Sequence, residues 1–224
     1  MSLTLVIGNR NYSSWSLRAW LYLRESGLEF EEVFVSLHVG DWRAEIAKYS
    51  PAGRVPVLID RDVTVWDSMA IMEYLLERFP GAVGWPTEPG ERALARSISA
   101  EMHSGFLAVR SGLPQNIRIR RPAVVPDLCR AQIDRVQAIW SDCRERYGHR
   151  GPWLFGDFGI ADVMFVPVAL RFVSYGIPVE GRAAEFLRAT LALPSVQEWI
   201  HASETEGLPL AFVDELGEGD MILG

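Results

Sequence analysis

Every segment of this chain that reads as a β-strand lies before residue 67, and everything after a glycine- and proline-rich stretch at 80–90 reads as helix. That asymmetry narrows the fold more than any other feature. Strands and helices mixed early, then helices alone, describe a small α/β unit followed by an all-helical one. Residues 3–8 form an apolar run ending at Gly8 and read as a buried strand. Across 14–27, Leu17, Trp20 and Leu21 recur at i, i+3 and i+4, one face of a helix that Gly27 terminates. Residues 32–37 alternate in part and read as a second strand. Strand, helix and strand in so short a space favour a parallel pair. A mixed segment containing Trp42 leads to a turn at Ser50-Pro51-Ala52-Gly53 and a strand at 55–59. A tight turn at Asp60-Arg61-Asp62 enters a strand at 64–66, and a helix follows over 68–79. Residues 1–80 therefore read β-α-β-α-β-β-α with a mixed sheet.

The stretch 80–90 holds three prolines and three glycines and reads as a linker. Beyond it helical periodicity occupies 91–112, 126–147, 160–175, 182–191 and 194–204. The expected organisation is an α/β domain over 1–80, a linker over 81–90 and an all-α domain over 91–224. The tail after Pro209, with Glu215, Glu218 and Asp220, is acidic.

Composition enters mainly by exclusion. A net charge of −7 lacks the basic surface that binding to phosphates demands, so no nucleic-acid partner is expected. Arg118, Arg120 and Arg121 are a local exception that reads as a solvated loop ahead of a polyanion site. No run approaches the ~20 apolar residues of a spanning helix, and the amino terminus lacks a basic n-region. A cytoplasmic protein with no membrane partner is expected. Cys129 and Cys143 fall within one helical pattern, where 14 residues separate them by about 21 Å. A disulfide needs Cα atoms within roughly 7 Å, so two free thiols are expected. The histidines at 38, 103, 149 and 201 show no ligand spacing, and no metal is expected.

Three places carry chemistry. The loop from Asn9 to Arg18 sets Tyr12, Ser13, Ser14 and Ser16 where the first helix begins. Free N–H groups and the helix dipole favour an anion or thiolate there, although one serine serving as an N-cap is the plainer reading. Val55-Pro56 opens a strand of the sheet. A cis bond would turn the Val55 backbone outward to pair with a peptide-like ligand, and an edge-strand proline accounts for it equally well. Asp67-Ser68 opens a helix as an N-cap and can also hold an amino acid's ammonium and carboxylate.

Taken in order, these features resemble the glutathione transferases. Ser13-Ser14-Trp15-Ser16-Leu17-Arg18 resembles the S-S-C-S-x-R signature of the zeta class, with Trp15 where that class has cysteine. Val55-Pro56 matches the family's cis-proline, and Asp67-Ser68 its acidic-serine pair. Gly159-Ile160-Ala161-Asp162 resembles the capping box of the second domain, with Gly159 in place of the hydroxyl. The resemblance implies a thioredoxin-like domain followed by a helical domain, with glutathione as cosubstrate and a homodimer as the assembly. It implies that Ser13, then Ser14, meets the glutathione thiolate, that Val55 and Pro56 meet the cysteinyl backbone, and that Asp67 and Ser68 hold the γ-glutamate. Trp42 is expected near the glycyl end. On the substrate side, Met102, His103, Phe106 and Arg110 are expected to share one helix face, with Asn116 in a following loop. His103 reads as a packing residue ahead of an acid–base group. The implied activity is attack of the thiolate on a small hydrophobic electrophile. A glutathione-dependent isomerase and a non-catalytic binding module are the alternatives, each testable by glutathione affinity and turnover.

Overall fold

The computed structural model describes residues 3–122 and 125–214. The acidic residues Glu215, Glu218 and Asp220 lie outside that range. The chain opens with β1 (Leu3–Ile7), α1 (Ser14–Glu25), β2 (Phe30–Phe34) and α2 (Trp42–Ala47), followed by β3 (Val57–Asp60), β4 (Val63–Trp66) and α3 (Ser68–Arg78). The remaining helices are α4 (Pro89–Ser104), α5 (Leu107–Gly112), α6 (Asp127–Tyr147), α7 (Ile160–Ser174), α8 (Gly181–Ala192), α9 (Pro194–Thr205) and α10 (Ala211–Asp214).

The sheet runs in the order β2-β1-β3-β4. β1 pairs parallel with β2 and antiparallel with β3, with Leu5 opposite Glu32 on one side and Leu58 on the other. The apolar run of β1 is explained by its place between two strands and two layers. Leu3, Leu5 and Ile7 face the main core with α1 and α3, while Val6 joins Val35, Ile46 and Val57 in a smaller cluster beneath α2. β2 starts two residues earlier than its alternation suggests. It is an edge strand whose positions are mostly exposed or half-buried, so the pairing Val6↔Val33 sets its limits and hydropathy does not.

α7 is buried almost from end to end and packs against α1, α4 and α8, so it joins the sheet-bearing half to the helical half. Its start survives the loss of a capping hydroxyl. Asp162 Oδ2 accepts the Gly159 N–H at 2.8 Å and Oδ1 accepts the Leu154 N–H at 2.8 Å.

One expected helix is two. The pattern at 91–112 breaks between α4 and α5, where Gly105 is extended and Phe106 sits at φ 57°. A Cβ on Gly105 would lie 2.7 Å from the Glu101 carbonyl oxygen, so only glycine fits the exit. Met102 and His103 therefore share no continuous face with Phe106 and Arg110. Arg110 instead turns back and donates to the carbonyls of Met102 and His103, satisfying the open end of α4. In the following loop Arg120 is exposed, as a solvated loop requires, whereas Arg118 is tied down, donating to Tyr12 Oη at 2.7 Å and to the Leu208 carbonyl.

Both cysteines lie on α6, free and buried. Burial raises the Cys129 thiol and pushes Cys143 up to about 12. Only the thiolate attacks, so neither is expected to react with an aromatic disulfide in the native protein. Both should react after denaturation, and prompt labelling of the folded chain would contradict this packing. Among the described residues no helix is long and apolar enough to cross a membrane, and no cluster of three metal-ligating side chains occurs.

Candidate functional site

The first helix begins inside the molecule. After β1 the chain turns at Asn9, whose carbonyl accepts the N–H groups of Tyr12 and Ser13 at 3.1 and 2.8 Å. Ser13 then caps α1, accepting the Ser16 N–H at 3.2 Å. Its hydroxyl donates to Ser16 Oγ at 2.8 Å, and that oxygen also accepts the Gly8 N–H at 3.0 Å. The Ser13 proton is thus engaged in fastening the helix start to the end of β1. Ser14 is buried too, but its oxygen accepts from Arg171 Nη2 at 3.3 Å, which leaves its own proton free to donate.

Beside this helix start lies an open cleft of about 630 Å³, within the range of small-molecule sites. One wall is the bend entering β3, where the Val55–Pro56 bond is cis and both residues face the cleft, with Arg54 next to them. The opposite wall is the β4–α3 junction: Trp66, Asp67 and Ser68. Trp15, from the first turn of α1, and His103, from the end of α4, close the cleft.

The β4–α3 junction is built for polar recognition. Asp67 stands at φ 75°, a left-handed conformation that aspartate tolerates better than most residues, and caps α3 by accepting the Met69 N–H at 2.8 Å. His103 Nε2 lies 3.2 Å from its other oxygen. Burial pushes the Asp67 carboxyl up, but the His103 contact and the α3 amides outweigh it and hold the group below the usual carboxylate value. It is ionised at neutral pH. Ser68 is fully buried, and its hydroxyl finds no hydrogen-bond partner among the described residues. An unpaired buried hydroxyl at a cleft is an unmet demand for a ligand atom.

The expected site residues divide. Val55, Pro56, Asp67, Ser68 and His103 come together around the cleft. Ser13 and Ser14 lie at the start of the helix that carries Trp15 but are not among the cleft-lining residues. Trp42 packs on the smaller core cluster and against the His38 ring at 4.8 Å, away from the lining. Phe106 is a core residue. Asn116 is buried and consumed, accepting from Asn11 at 2.8 Å and donating to Asp214 at 2.7 Å. Arg110 stacks on Trp15, its guanidinium 4.7 Å from the ring centroid. Arg54 and Arg171 were not singled out from the sequence, and Trp15 stood out there only as a departure from the zeta signature. The available signal for Arg171 was a lone cation at the end of an unbroken apolar helical run, a position where charge is rarely buried without purpose.

A family model described as Glutathione S-transferase, N-terminal domain, matches residues 12–78. Glutathione S-transferase 1 of Dianthus caryophyllus is 40% identical over 163 residues, covering 72% of this chain and 73% of that protein. A Stringent starvation protein A homolog of Coxiella burnetii is 26% identical over 166 residues, covering 72% of this chain and 74% of that one. Among solved structures, a glutathione transferase homolog from Burkholderia gl BGR1 with bound glutathione aligns with a TM-score of 0.70 and 28% identity, over 91% of this chain and 99% of that chain. With the mixed four-stranded sheet, the buried α7 and a relative this similar over most of both lengths, the chain belongs to the glutathione transferase superfamily.

Proposed function

We propose that this protein is a glutathione transferase that binds glutathione in the cleft between Val55–Pro56 and Asp67–Ser68 and activates its thiol for attack on a small electrophile. The observation that carries the reading is the buried, unpaired Ser68 hydroxyl beside an ionised Asp67. An amino acid end with its ammonium on Asp67 and its carboxylate on Ser68 and the first-turn amides of α3 satisfies both groups at once. The exposed peptide edge at Val55 suits the cysteinyl backbone, as an added strand pairs with a sheet edge. Glutathione bound in the Burkholderia homolog supports the same ligand here. In this reading residues 1–80 supply the glutathione side and 91–224 the electrophile side, joined by 81–90. A cytoplasmic homodimer accompanies it.

The thiol lies at the amino terminus of α1, where the dipole favours the thiolate. Ser14 is the hydroxyl with a proton to give, since the proton of Ser13 goes to Ser16. Replacing Ser14 with alanine is expected to raise the pKa of bound glutathione by about one unit, roughly 1.4 kcal/mol. Ser13→Ala should act mainly on stability, at about 1 kcal/mol for a lost N-cap. Titration of thiolate absorbance in the saturated protein measures both. An unchanged pKa in the two variants would overturn the hydroxyl's role.

A second reading is a glutathione-binding module without turnover. The use of the Ser13 hydroxyl as a structural cap favours it, as does likeness to a Stringent starvation protein A homolog. Tight glutathione binding with no conjugation of any electrophile would establish it.

A further inference from the structure

The loop that delivers the chain to the start of α1 is held from the far end of the sequence. Glu206 accepts the Arg10 N–H at 2.6 Å, and Trp199 Nε1 donates to the Arg10 carbonyl at 3.0 Å. Tyr12 Oη donates to Asp214 Oδ2 at 2.7 Å and accepts from Arg118 Nη2 at 2.7 Å. The Leu210 N–H is shared between that phenol oxygen, at 2.9 Å, and Asp214 Oδ2, at 3.0 Å. Asn11 Nδ2 donates to Asn116, which in turn donates to Asp214 Oδ1 at 2.7 Å. Asn11 also accepts the Arg118 N–H on its side chain at 2.9 Å. Both oxygens of one carboxylate on α10 thus serve Asn11 and Tyr12, the two residues that precede Ser13 and Ser14.

This arrangement takes Tyr12 out of the chemistry. Burial and the Asp214 hydrogen bond raise its phenol, so it keeps its proton and remains a donor. That proton goes to Asp214 while the oxygen takes two N–H groups, which leaves nothing for a thiol. Nor is a part-buried carboxylate needed merely to dock the chain end. Leu210 and Val213 are buried there and dock it without desolvating a charge. What directed hydrogen bonds add is geometry, because a network whose members are all paired admits one arrangement. Geometry matters most where a hydroxyl must meet a sulfur, since a misplacement of ~1 Å can cost on the order of 100-fold in rate.

We propose that Asp214 is a positioning residue for thiol activation. Through Tyr12, and through the Asn116–Asn11 pair, it sets the loop ahead of α1 and so the direction in which Ser14 presents its proton to glutathione. The residue lies 200 positions from the hydroxyl it aims, on a four-residue helix that contributes no side chain to the cleft lining. This deepens the transferase reading and rests on it for the effect on sulfur, though not for the hold on the loop.

The test titrates thiolate absorbance of bound glutathione in the full chain. Asp214→Ala is expected to raise that pKa by about half a unit, short of the shift from Ser14→Ala. Glutathione affinity should change less than about twofold, because Val55, Asp67 and Ser68 are untouched. The sign separates positioning from charge: removing an anion near a thiolate lowers the thiol's pKa, so a rise reports geometry. Tyr12→Phe keeps the ring, loses the hydrogen bonds and should give the same rise, and it serves if the Asp214 variant does not fold. Asp214→Asn keeps an acceptor and should recover part of the shift. In a Ser14→Ala protein, Asp214→Ala should add nothing, since the hydroxyl it aims is gone. An unchanged or lower pKa in both Asp214→Ala and Tyr12→Phe, or a rise that persists in full without Ser14, would overturn the proposal. If the thiol in the unmodified protein titrates as free glutathione does, the transferase reading fails instead. Amide hydrogen exchange over residues 10–14 without ligand then decides: exchange at least about tenfold faster in both variants keeps Asp214 as the fastening of this loop, and equal exchange removes it.

Discussion

Replacing Asp162 with alanine is expected to lower the stability of the protein by about 4 kcal/mol, the largest stability effect of any substitution considered. Its carboxylate accepts two backbone N–H groups, from Leu154 and Gly159, one on each oxygen and both at 2.8 Å. The residue is wholly buried at the start of the helix that joins the two halves of the molecule. Alanine leaves the buried Leu154 donor and the part-buried Gly159 donor unpaired, at about 1–3 kcal/mol each. Gly159 offers no side chain to replace the lost cap. For a chain of this size about 2–4 °C of melting temperature accompanies each kcal/mol, so a fall of roughly 8–16 °C is expected by calorimetry. Asparagine keeps one acceptor and turns an amide N–H toward the other donor, so its effect should be intermediate. A loss under about 1 kcal/mol in the alanine variant would mean that the helix start is held by something other than this carboxylate.

The same helix shows why the fold was legible and part of the site was not. Element order follows from hydrophobic period, and the period is strong where an element is buried: β1 between its neighbours, α7 among three helices. It is weak at β2, an edge strand with two adjacent glutamates, Glu31 and Glu32, whose limits are set by pairing with β1. It misleads at α4 and α5, because apolar spacing continues across Gly105 and Phe106 with no proline to mark the break. Val55–Pro56 and Asp67–Ser68 were readable because proline at a strand start and an acid–serine pair at a helix start each violate or satisfy a local rule. The hydroxyls of the first loop were readable as a group but not individually. Whether Ser13 or Ser14 has a proton to spare depends on Ser16 and Arg171, one turn and one helix away. Arg18, Arg110 and Arg171 were each readable alone, as a motif residue, a helix-face residue and a cation ending an apolar run, but their meeting at Trp15 and Ser14 was not. Only the packing of α1, α5 and α7 brings the three charges together. Local chemistry is written along the chain, whereas charge balance is a property of what the fold encloses.

That distinction also selects the sharpest test of the glutathione cleft, which is Asp67→Asn. The substitution is expected to weaken glutathione binding about 10–100-fold, since an ammonium held by a part-buried carboxylate contributes about 1.5–3 kcal/mol and each 1.4 kcal/mol is tenfold in affinity. Alanine would confound the result, because Asp67 also caps α3 and stands at φ 75°. Asparagine is an equally good N-cap and tolerates the left-handed conformation, so α3 should begin unchanged and thermal stability should move by less than about 0.5 kcal/mol. The pair with His103 loses its charge in the variant, which leaves the histidine to water and to the Trp15 edge 5.2 Å away. A glutathione analogue without its γ-glutamyl amino group separates the ligand's ammonium from everything else. It should bind the unmodified protein and the variant with nearly the same affinity, because the charge that Asp67 recognises is missing from both complexes. If glutathione itself binds the variant as tightly as the unmodified protein, the acid at the start of α3 is a cap and nothing more, and the tripeptide is held elsewhere. If the analogue loses as much affinity as glutathione does, the substitution acts through the shape of the cleft and not through charge.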